Sequence, residues 1–277
     1  MPLPLLPPMP RRHLLLLLGL LTVLPAGGCG VRSGRFDKPS GRPLRVGMEL
    51  SYPPFEMTDA RGEPTGVSPD LARALGEFLR RDVVIENIAF DGLIPALKTG
   101  RIDLVISSMT ATPERAGSIA FSEPYLRTGL AILAAADSNI ESAGDLDRPG
   151  RTVAVKKGTT GHLFAREALH EARLLVLDRE TAAVMEVAQA KADAFLYDPF
   201  SVYRSHRRHP DTTRALLTPF REESWAVGIR LGDDELRREV NRFLKSFRES
   251  GGFERLGDRY LPEEKAFFAA EGIPFVF

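Results

Sequence analysis

The chain has 277 residues, of which 37 are Lys or Arg and 37 are Asp or Glu, so its formal net charge at pH 7 is zero. This balance excludes the strongly basic surface typical of nucleic-acid-binding proteins, and we expect no nucleic-acid partner. Cys29 is the single cysteine, which excludes disulfides, thiolate metal sites and a thiol nucleophile from the rest of the chain.

The first 29 residues have the features of an export signal. Arg11 and Arg12 precede an apolar run over residues 14–24, which is too short to span a bilayer that needs about twenty residues. Small residues then lead to Cys29, a pattern similar to a lipobox, in which the cysteine is lipidated. We therefore predict a lipoprotein signal peptide over residues 1–29 and a flexible tether over residues 30–43. The alternative is a plain secretory signal with an incidental cysteine.

Strand and helix patterns alternate from Leu44 onward, which predicts an α/β chain with mostly parallel sheets. Strands are predicted over residues 44–48, 83–88, 102–106, 152–155, 174–177 and 194–196. Helices are predicted over residues 92–98, 161–170 and 180–190, and residues 233–270 are mostly helical. A chain of this length is expected to form two lobes, with residues 130–135 and 226–229 crossing between them.

The helix after the first strand has a start signal of its own. Ser68 is predicted to cap it, with Pro69 at the first helical position and Asp70 in the first turn. The spacing of the following apolar residues predicts one buried face, made of Leu71, Leu75, Phe78 and Leu79.

Residues 107–115 follow a strand-like run and resemble half of a carboxylate clamp. Thr112 is predicted to cap a short helix that begins with Pro113. Arg115 lies in the first turn of that helix, where a cation is electrostatically unfavourable. A guanidinium beside hydroxyls and free N–H groups suits a bidentate carboxylate partner. From these residues alone, a carboxylate clamp and a solvated arginine are equally favoured.

Seven stretches in this order resemble the periplasmic amino-acid-binding proteins of ABC importers, the solute-binding proteins of family 3. The resemblance covers residues 44–261. Its stretches are residues 47–55, 66–71, 90–97, 107–115, 121–125, 153–161 and 192–198.

The resemblance implies the two-lobed type II periplasmic-binding-protein fold, with two hinge strands crossing between the lobes. Residues 44–131 and 225–277 are expected to form lobe one, and residues 135–221 lobe two. The implied protein is not an enzyme and has no cofactor. It is a monomer that captures a polar L-amino acid by lobe closure and delivers it to an ABC permease. Its implied location is the periplasm or cell surface of a bacterium, with a membrane anchor through the lipid on Cys29.

The resemblance also implies contacts to the backbone of an amino-acid ligand. Arg115 matches the arginine that binds the ligand carboxylate, and Thr160 and Thr110 would support it. Asp198 matches the aspartate that pairs with the ligand ammonium, together with the Ser108 carbonyl and the Thr110 hydroxyl. Each charge of the zwitterion would thus meet a fixed opposite charge.

Two of these residues have simpler alternatives. Thr160 belongs to the turn over residues 157–161, whose free N–H groups can hold an anion or can form an ordinary strand-to-helix loop. Asp198 precedes Pro199 and can equally cap a helix.

Four further residues are implied for the ligand side chain. Tyr52 and Phe90 match an aromatic pair that encloses it, although both are also compatible with core packing. Glu49 and Lys156 would face its distal end, where an amide can donate to the first and accept from the second. This favours a polar uncharged amino acid, with a basic one second. The alternatives are that Glu49 and Lys156 are solvated or pair with each other.

Two rival functions use the same fold. One is an enzyme that resembles cyclohexadienyl dehydratases, for which Glu49 and His162 are the candidate acid–base residues. The other is a sensory module that presents its ligand to a membrane receptor. The sequence shows no metal-ligand spacing and no nucleotide-type phosphate loop.

Overall fold

A computed structural model describes residues 41–273 of the chain. The predicted signal peptide, Cys29 and tether residues 30–40 lie outside the described residues. The last predicted tether residues contact the folded part, because the Arg42 guanidinium lies 2.5 Å from the Asp103 carboxylate. Arg81 also donates to the Arg42 carbonyl over 2.9 Å.

The described residues form ten strands and nine α-helices. The strands are β1 (Leu44–Met48), β2 (Met57–Thr58), β3 (Pro64–Thr65), β4 (Val83–Asn87), β5 (Leu104–Val105), β6 (Ala120–Ala135), β7 (Thr152–Lys156), β8 (Arg173–Leu177), β9 (Ala194–Tyr197) and β10 (Thr213–Ile229). The helices are α1 (Val67–Leu79), α2 (Leu93–Lys98), α3 (Pro113–Ala116), α4 (Thr160–Ala168), α5 (Glu180–Ala188), α6 (Pro199–Arg208), α7 (Asp234–Glu249), α8 (Gly252–Tyr260) and α9 (Pro262–Ala270).

Eight of the strands form one sheet in the order β4-β1-β5-β10-β6-β9-β7-β8. The first half of the sheet, β4, β1 and β5, is parallel, with Val46 beside Ile85 and Leu104. The second half, β9, β7 and β8, is parallel as well, with Val153 beside Leu174 and Ala194. The predicted two-lobed α/β architecture with mostly parallel strands is therefore confirmed.

Two long antiparallel strands, β6 and β10, join the two halves. Their pairing is interrupted between the Leu216–Ile132 and Arg221–Leu130 pairs. The two predicted crossings, residues 130–135 and 226–229, fall within these strands. Each strand is much longer than the apolar run that indicated it. The apolar pattern missed the middle part of each strand because that part is polar on its exposed side.

Hydrophobic clusters support both halves, and the largest also includes Phe200 and Tyr203 of α6. The largest packs β1 against α1, α7 and α8 through residues such as Val46, Leu71, Leu75 and Phe243. The second half is covered on both faces, by a cluster around Val155 and by another around Phe195. In the C-terminal helical region, Val240, Phe243 and Leu244 are buried, and Leu236 and Phe247 pack against them.

The start of α1 differs from its prediction. The helix begins at Val67 after Gly66, whose φ of 120° lies in the region that favours glycine. The backbone N–H groups of Val67 and Ser68 donate to the Pro54 and Phe55 carbonyls, so the helix start needs no side-chain cap. Ser68 is therefore not the cap, and its hydroxyl donates to Glu56 over 2.7 Å. Phe78, predicted to be buried, is 43% exposed.

Candidate functional site

A cavity lies where the carboxyl ends of the parallel strands of both halves face each other, the usual position of ligand sites in such sheets. Its volume of about 40 Å³ is room for roughly three water molecules. It is lined by Glu49, Tyr52, Glu56, Phe90, Ser107, Ser108, Thr110, Arg115, Leu130, Lys156, Thr159, Thr160, Tyr197, Asp198, Glu223 and Trp225. All nine residues that the sequence analysis assigned to ligand contact are among them.

Arg115 is held by the helix start predicted for it. The Thr112 hydroxyl accepts the Arg115 backbone N–H over 3.2 Å, and Pro113 is the first residue of α3. The whole residue is 6% exposed. It donates to the Thr110 carbonyl over 2.7 Å and to the Gly158 carbonyl over 3.0 Å, so it reaches from the first half to the second. Burial lowers the pKa of Arg115 to about 10, which leaves it charged at neutral pH.

Thr160 lies at the start of α4, directly after β7. Thr159 caps this helix by accepting the His162 N–H, and Gly158 has a φ of 77°. The Thr160 hydroxyl donates to Glu223 over 3.0 Å. His162, the rival acid–base candidate, does not line the cavity, and its Nδ1 accepts the Gly158 N–H over 3.2 Å.

Asp198 caps a helix and lines the cavity at the same time. One carboxylate oxygen accepts the backbone N–H groups of Phe200 over 3.0 Å and Ser201 over 3.1 Å at the start of α6. The residue is 7% exposed. Burial, and to a lesser extent the charge of Glu180, raise the pKa of Asp198 to about 7. The helix cap that the sequence left open is thus present, and the carboxylate still faces the cavity.

Aromatic rings form two of its walls. Tyr52 stacks on Phe55 with ring centres 5.3 Å apart and meets Tyr197 edge to face. Phe90 is half-buried, and the face of its ring carries the Arg115 guanidinium at 5.4 Å and the Lys156 ammonium at 5.7 Å. Phe90 therefore stabilises two cations at the cavity.

Glu49 and Lys156 form an ion pair across the cavity. The Lys156 side chain is 2% exposed, whereas the Glu49 carboxylate stays partly open to solvent. The sequence analysis left this pairing open as an alternative to contact with a ligand side chain. An adjacent pair, Lys157 and Asp91, lies 2.8 Å apart and links the same two halves of the sheet.

Glu56 is a buried carboxyl group of the cavity that the sequence analysis did not single out. It accepts hydrogen bonds from the hydroxyls of Ser68 over 2.7 Å, Ser108 over 3.1 Å and Ser107 over 3.3 Å. Burial raises the pKa of Glu56 to about 8, although these bonds lower it in part. Ser108 has a φ of 48°, a conformation that costs energy in a non-glycine residue. Its bond to Glu56 helps to hold it there.

Glu223 was also missed. It lies on β10, two residues before Trp225, and alternate residues of a strand face the same side. The sequence did not show that Trp225 lies at the cavity. The strand alternation that places Glu223 on the same side as Trp225 therefore could not identify Glu223 as a cavity residue.

Among residues 41–273 there is no group of three or more His, Cys, Asp or Glu side chains placed to hold a metal ion. Within the same residues, no helix is both long and apolar enough to cross a membrane.

Comparisons with known proteins agree with this architecture. Residues 44–263 match the model of the bacterial extracellular solute-binding proteins, family 3. "ABC transporter arginine-binding protein 1" of Escherichia coli (strain K12) is 26% identical over 232 residues, which are 82% of this chain and 94% of that protein.

Two solved structures are similar in both sequence and fold. The ancestral amino acid-binding protein AncCDT-1, described as a precursor of cyclohexadienyl dehydratase, is 37% identical with a TM-score of 0.71, over 78% of this chain and 94% of that chain. An ancestral arginine-binding protein bound to arginine is 30% identical with a TM-score of 0.72, over 79% of this chain and 97% of that chain. Together with the family match, these findings confirm the resemblance: the chain belongs to the bacterial extracellular solute-binding proteins, family 3.

Proposed function

We propose that this chain is the extracytoplasmic receptor of an ABC importer and captures a polar L-amino acid by closing its two lobes around it. The observation that carries this proposal is the cavity between the two halves of the sheet. It gathers a buried guanidinium, a buried carboxylate and aromatic walls within one small space. Such a set is complementary to the backbone charges and the side chain of an amino acid.

The ligand backbone would exchange internal contacts for its own. Its carboxylate binds the Arg115 guanidinium, the Thr160 hydroxyl and the Thr110 hydroxyl. Its ammonium binds the Asp198 carboxylate, the Ser108 carbonyl and the Thr110 hydroxyl. Ionisation of Asp198 accompanies binding, because a neighbouring ammonium favours the charged form.

A cationic side chain, as in arginine, fits the charges of the cavity best. The carboxyl groups of Glu49, Asp198 and Glu223 line it against two cations, Arg115 and Lys156, while Glu56, whose pKa burial raises to about 8, carries little charge at neutral pH. A zwitterionic backbone adds no net charge, so a positive side chain reduces the imbalance. The guanidinium would lie against Phe90 and share Glu49 with Lys156, while Tyr52 covers the aliphatic part. This reverses the order expected from sequence, in which an uncharged polar side chain came first.

Lobe closure follows from where these groups lie. Arg115, Ser108, Thr110, Tyr52 and Phe90 come from the part predicted as lobe one, residues 44–131 and 225–277. The residues that meet them, Lys156, Thr160 and Asp198, come from lobe two, residues 135–221. Because the ligand would be enclosed by groups from both parts, the lobes separate to admit it and close on it. The closed form alone makes both sets of contacts.

The proposed cellular location of the protein rests on its family and on the signal peptide predicted for residues 1–29. We propose that Cys29 carries a lipid that anchors a monomeric, non-enzymatic protein at the periplasmic or cell-surface side of a bacterial membrane. The closed lobes then present their joint surface to a permease.

The raised pKa values of two cavity carboxyl groups favour a second candidate function, that of a dehydratase. Glu56 and Asp198 both have pKa values raised close to neutral, which suits proton transfer, and AncCDT-1 is described as a precursor of such an enzyme.

Trp225 offers a direct test, since it is the only tryptophan of the chain and lines the cavity. The twenty L-amino acids, selected D-enantiomers and prephenate are titrated against the purified protein while Trp225 fluorescence is recorded. We expect saturable binding of L-arginine and little response to D-arginine. Consumption of prephenate without any amino-acid binding would establish the rival instead.

A further inference from the structure

The Glu223 carboxylate lies inside the group of side chains proposed to bind the ligand carboxylate. Its Oε2 accepts the Thr110 hydroxyl over 2.9 Å and the Thr160 hydroxyl over 3.0 Å. Thr110 follows β5 and Thr160 begins α4, so one internal oxygen joins the two halves of the sheet. Both hydroxyls are thus engaged by the chain itself.

The position of Glu223 is fixed by the backbone around it. The Ala111 N–H donates to the Ser224 carbonyl and the Ala226 N–H to the Met109 carbonyl, each over 3.0 Å. These bonds tie β10 to the segment that carries Thr110. From this strand the Glu223 side chain points at the two hydroxyls, whereas its neighbour Glu222 is exposed.

The charge of Glu223 affects both Arg115 and an entering ligand carboxylate. The charge of Glu223 favours the charged form of Arg115, which lies in the same pocket. Burial raises the pKa of Glu223, and its two hydroxyl bonds and Arg115 oppose that rise. A ligand carboxylate entering here would compete for the same hydroxyls and meet a like charge at short range.

We propose that Glu223 is a specificity-determining residue of the ligand site. Its carboxylate binds the Thr110 and Thr160 hydroxyls, which would otherwise bind the carboxylate of the ligand, and so reduces the contribution of that ligand carboxylate to affinity. This inference rests on the proposed amino-acid-binding function. Its consequence is a tolerance for amines that lack an α-carboxylate, because the internal carboxylate already balances Arg115.

Arginine and its decarboxylated form, agmatine, test this directly. Both are titrated by calorimetry against the wild type and the Glu223→Gln variant, and the ratio of the agmatine Kd to the arginine Kd is compared. Loss of the competing charge should raise this ratio at least about tenfold in Glu223→Gln, which is the scale expected for one charge-assisted contact. Glu222→Gln, on the same strand, should leave the ratio unchanged.

A second variant guards against misfolding of the first. Glu223→Asp keeps the charge but is too short to reach both hydroxyls, so an intermediate rise is expected. An unchanged or smaller ratio in folded Glu223 variants that still bind arginine would overturn the inference and leave the proposed function standing. Failure of arginine and every other amino acid to bind the wild type would overturn the proposed function, and this inference with it.

Discussion

At the scale of single residues, the charged groups of the cavity satisfy one another before any ligand arrives. Arg115 donates to two carbonyls, Lys156 pairs with Glu49, and Glu223 accepts two hydroxyls. Binding is therefore an exchange of internal contacts for ligand contacts, and only the difference between them appears as affinity.

Arg115→Ala should weaken arginine binding by on the order of 3 kcal/mol or more, because the ligand carboxylate would be buried without a cation. Arg115→Lys should also lose affinity, since an ammonium cannot form the bidentate contact. Calorimetric Kd values check both. Arg127→Ala removes an exposed arginine outside the cavity and serves as the control. Wild-type affinity in Arg115→Ala would show that this arginine does not bind the ligand.

Glu56 should make folding stability depend on pH. Its pKa is about 8 in the folded chain against an ordinary value of 4.5, so the folded form keeps a proton that the unfolded form loses between these values. The free energy of unfolding should therefore fall as pH rises through this window, by at most about 1.4 kcal/mol per pH unit from this residue. Asp198, Glu180 and Glu223 act in the same direction because their pKa values are also raised.

Glu56→Gln isolates its contribution. Denaturant unfolding at pH 5, 6, 7 and 8 should give a shallower decline than in the wild type, whereas the exposed Glu63→Gln control should not change the slope. Equal slopes in the wild type and Glu56→Gln would mean that Glu56 is ionised in the folded protein at neutral pH.

At the scale of elements, the ends of short helices carry the site. The starts of α3, α4 and α6 place Arg115, Thr160 and Asp198, and each helix is capped by a side chain that the sequence places immediately before it. Because a cap fixes the first turn, it fixes the direction of the functional side chain as well.

Variants of Asp198 can separate its role in capping α6 from its proposed role in binding the ligand ammonium. Asp198→Asn retains an oxygen that can cap α6, so its stability should stay close to that of the wild type, while its affinity for arginine should fall because the ammonium loses its counter-charge. Asp198→Ala should lose the same affinity and in addition about 1 kcal/mol of stability. Thermal unfolding and calorimetric titration of the same samples separate the two effects. Full affinity in Asp198→Asn would exclude the ion pair with the ligand.

The elements also show what the sequence could predict. Alternating apolar patterns predicted the strands of both halves, and the residues before Pro113 and Pro199 indicated the starts of α3 and α6. The prediction for Ser68 was wrong because backbone carbonyls of a preceding loop occupy the helix start. No local pattern shows that loop beside the helix.

At the scale of the whole molecule, the fold brings distant segments to one cavity. The nine residues predicted to contact the ligand could be named because the family resemblance implied their arrangement. The spacing of residues along the sequence does not contain that information. Glu223 meets Thr110 across 113 positions of sequence, and in its own segment it is one charged residue among several. Contacts of this range depend on the pairing of β6 and β10, so they become visible only in the structure.

We propose above that an amino acid binds between the two halves with its backbone held by Arg115 and Asp198. A crystal structure of the protein grown with saturating L-arginine tests it most directly. We expect the ligand carboxylate at the Arg115 guanidinium, its ammonium at Asp198, and the Glu223 side chain turned away from Thr110 and Thr160. Arginine bound in another place or in the reverse orientation, with the internal contacts of Arg115, Lys156 and Glu223 intact, would show that this assignment is wrong.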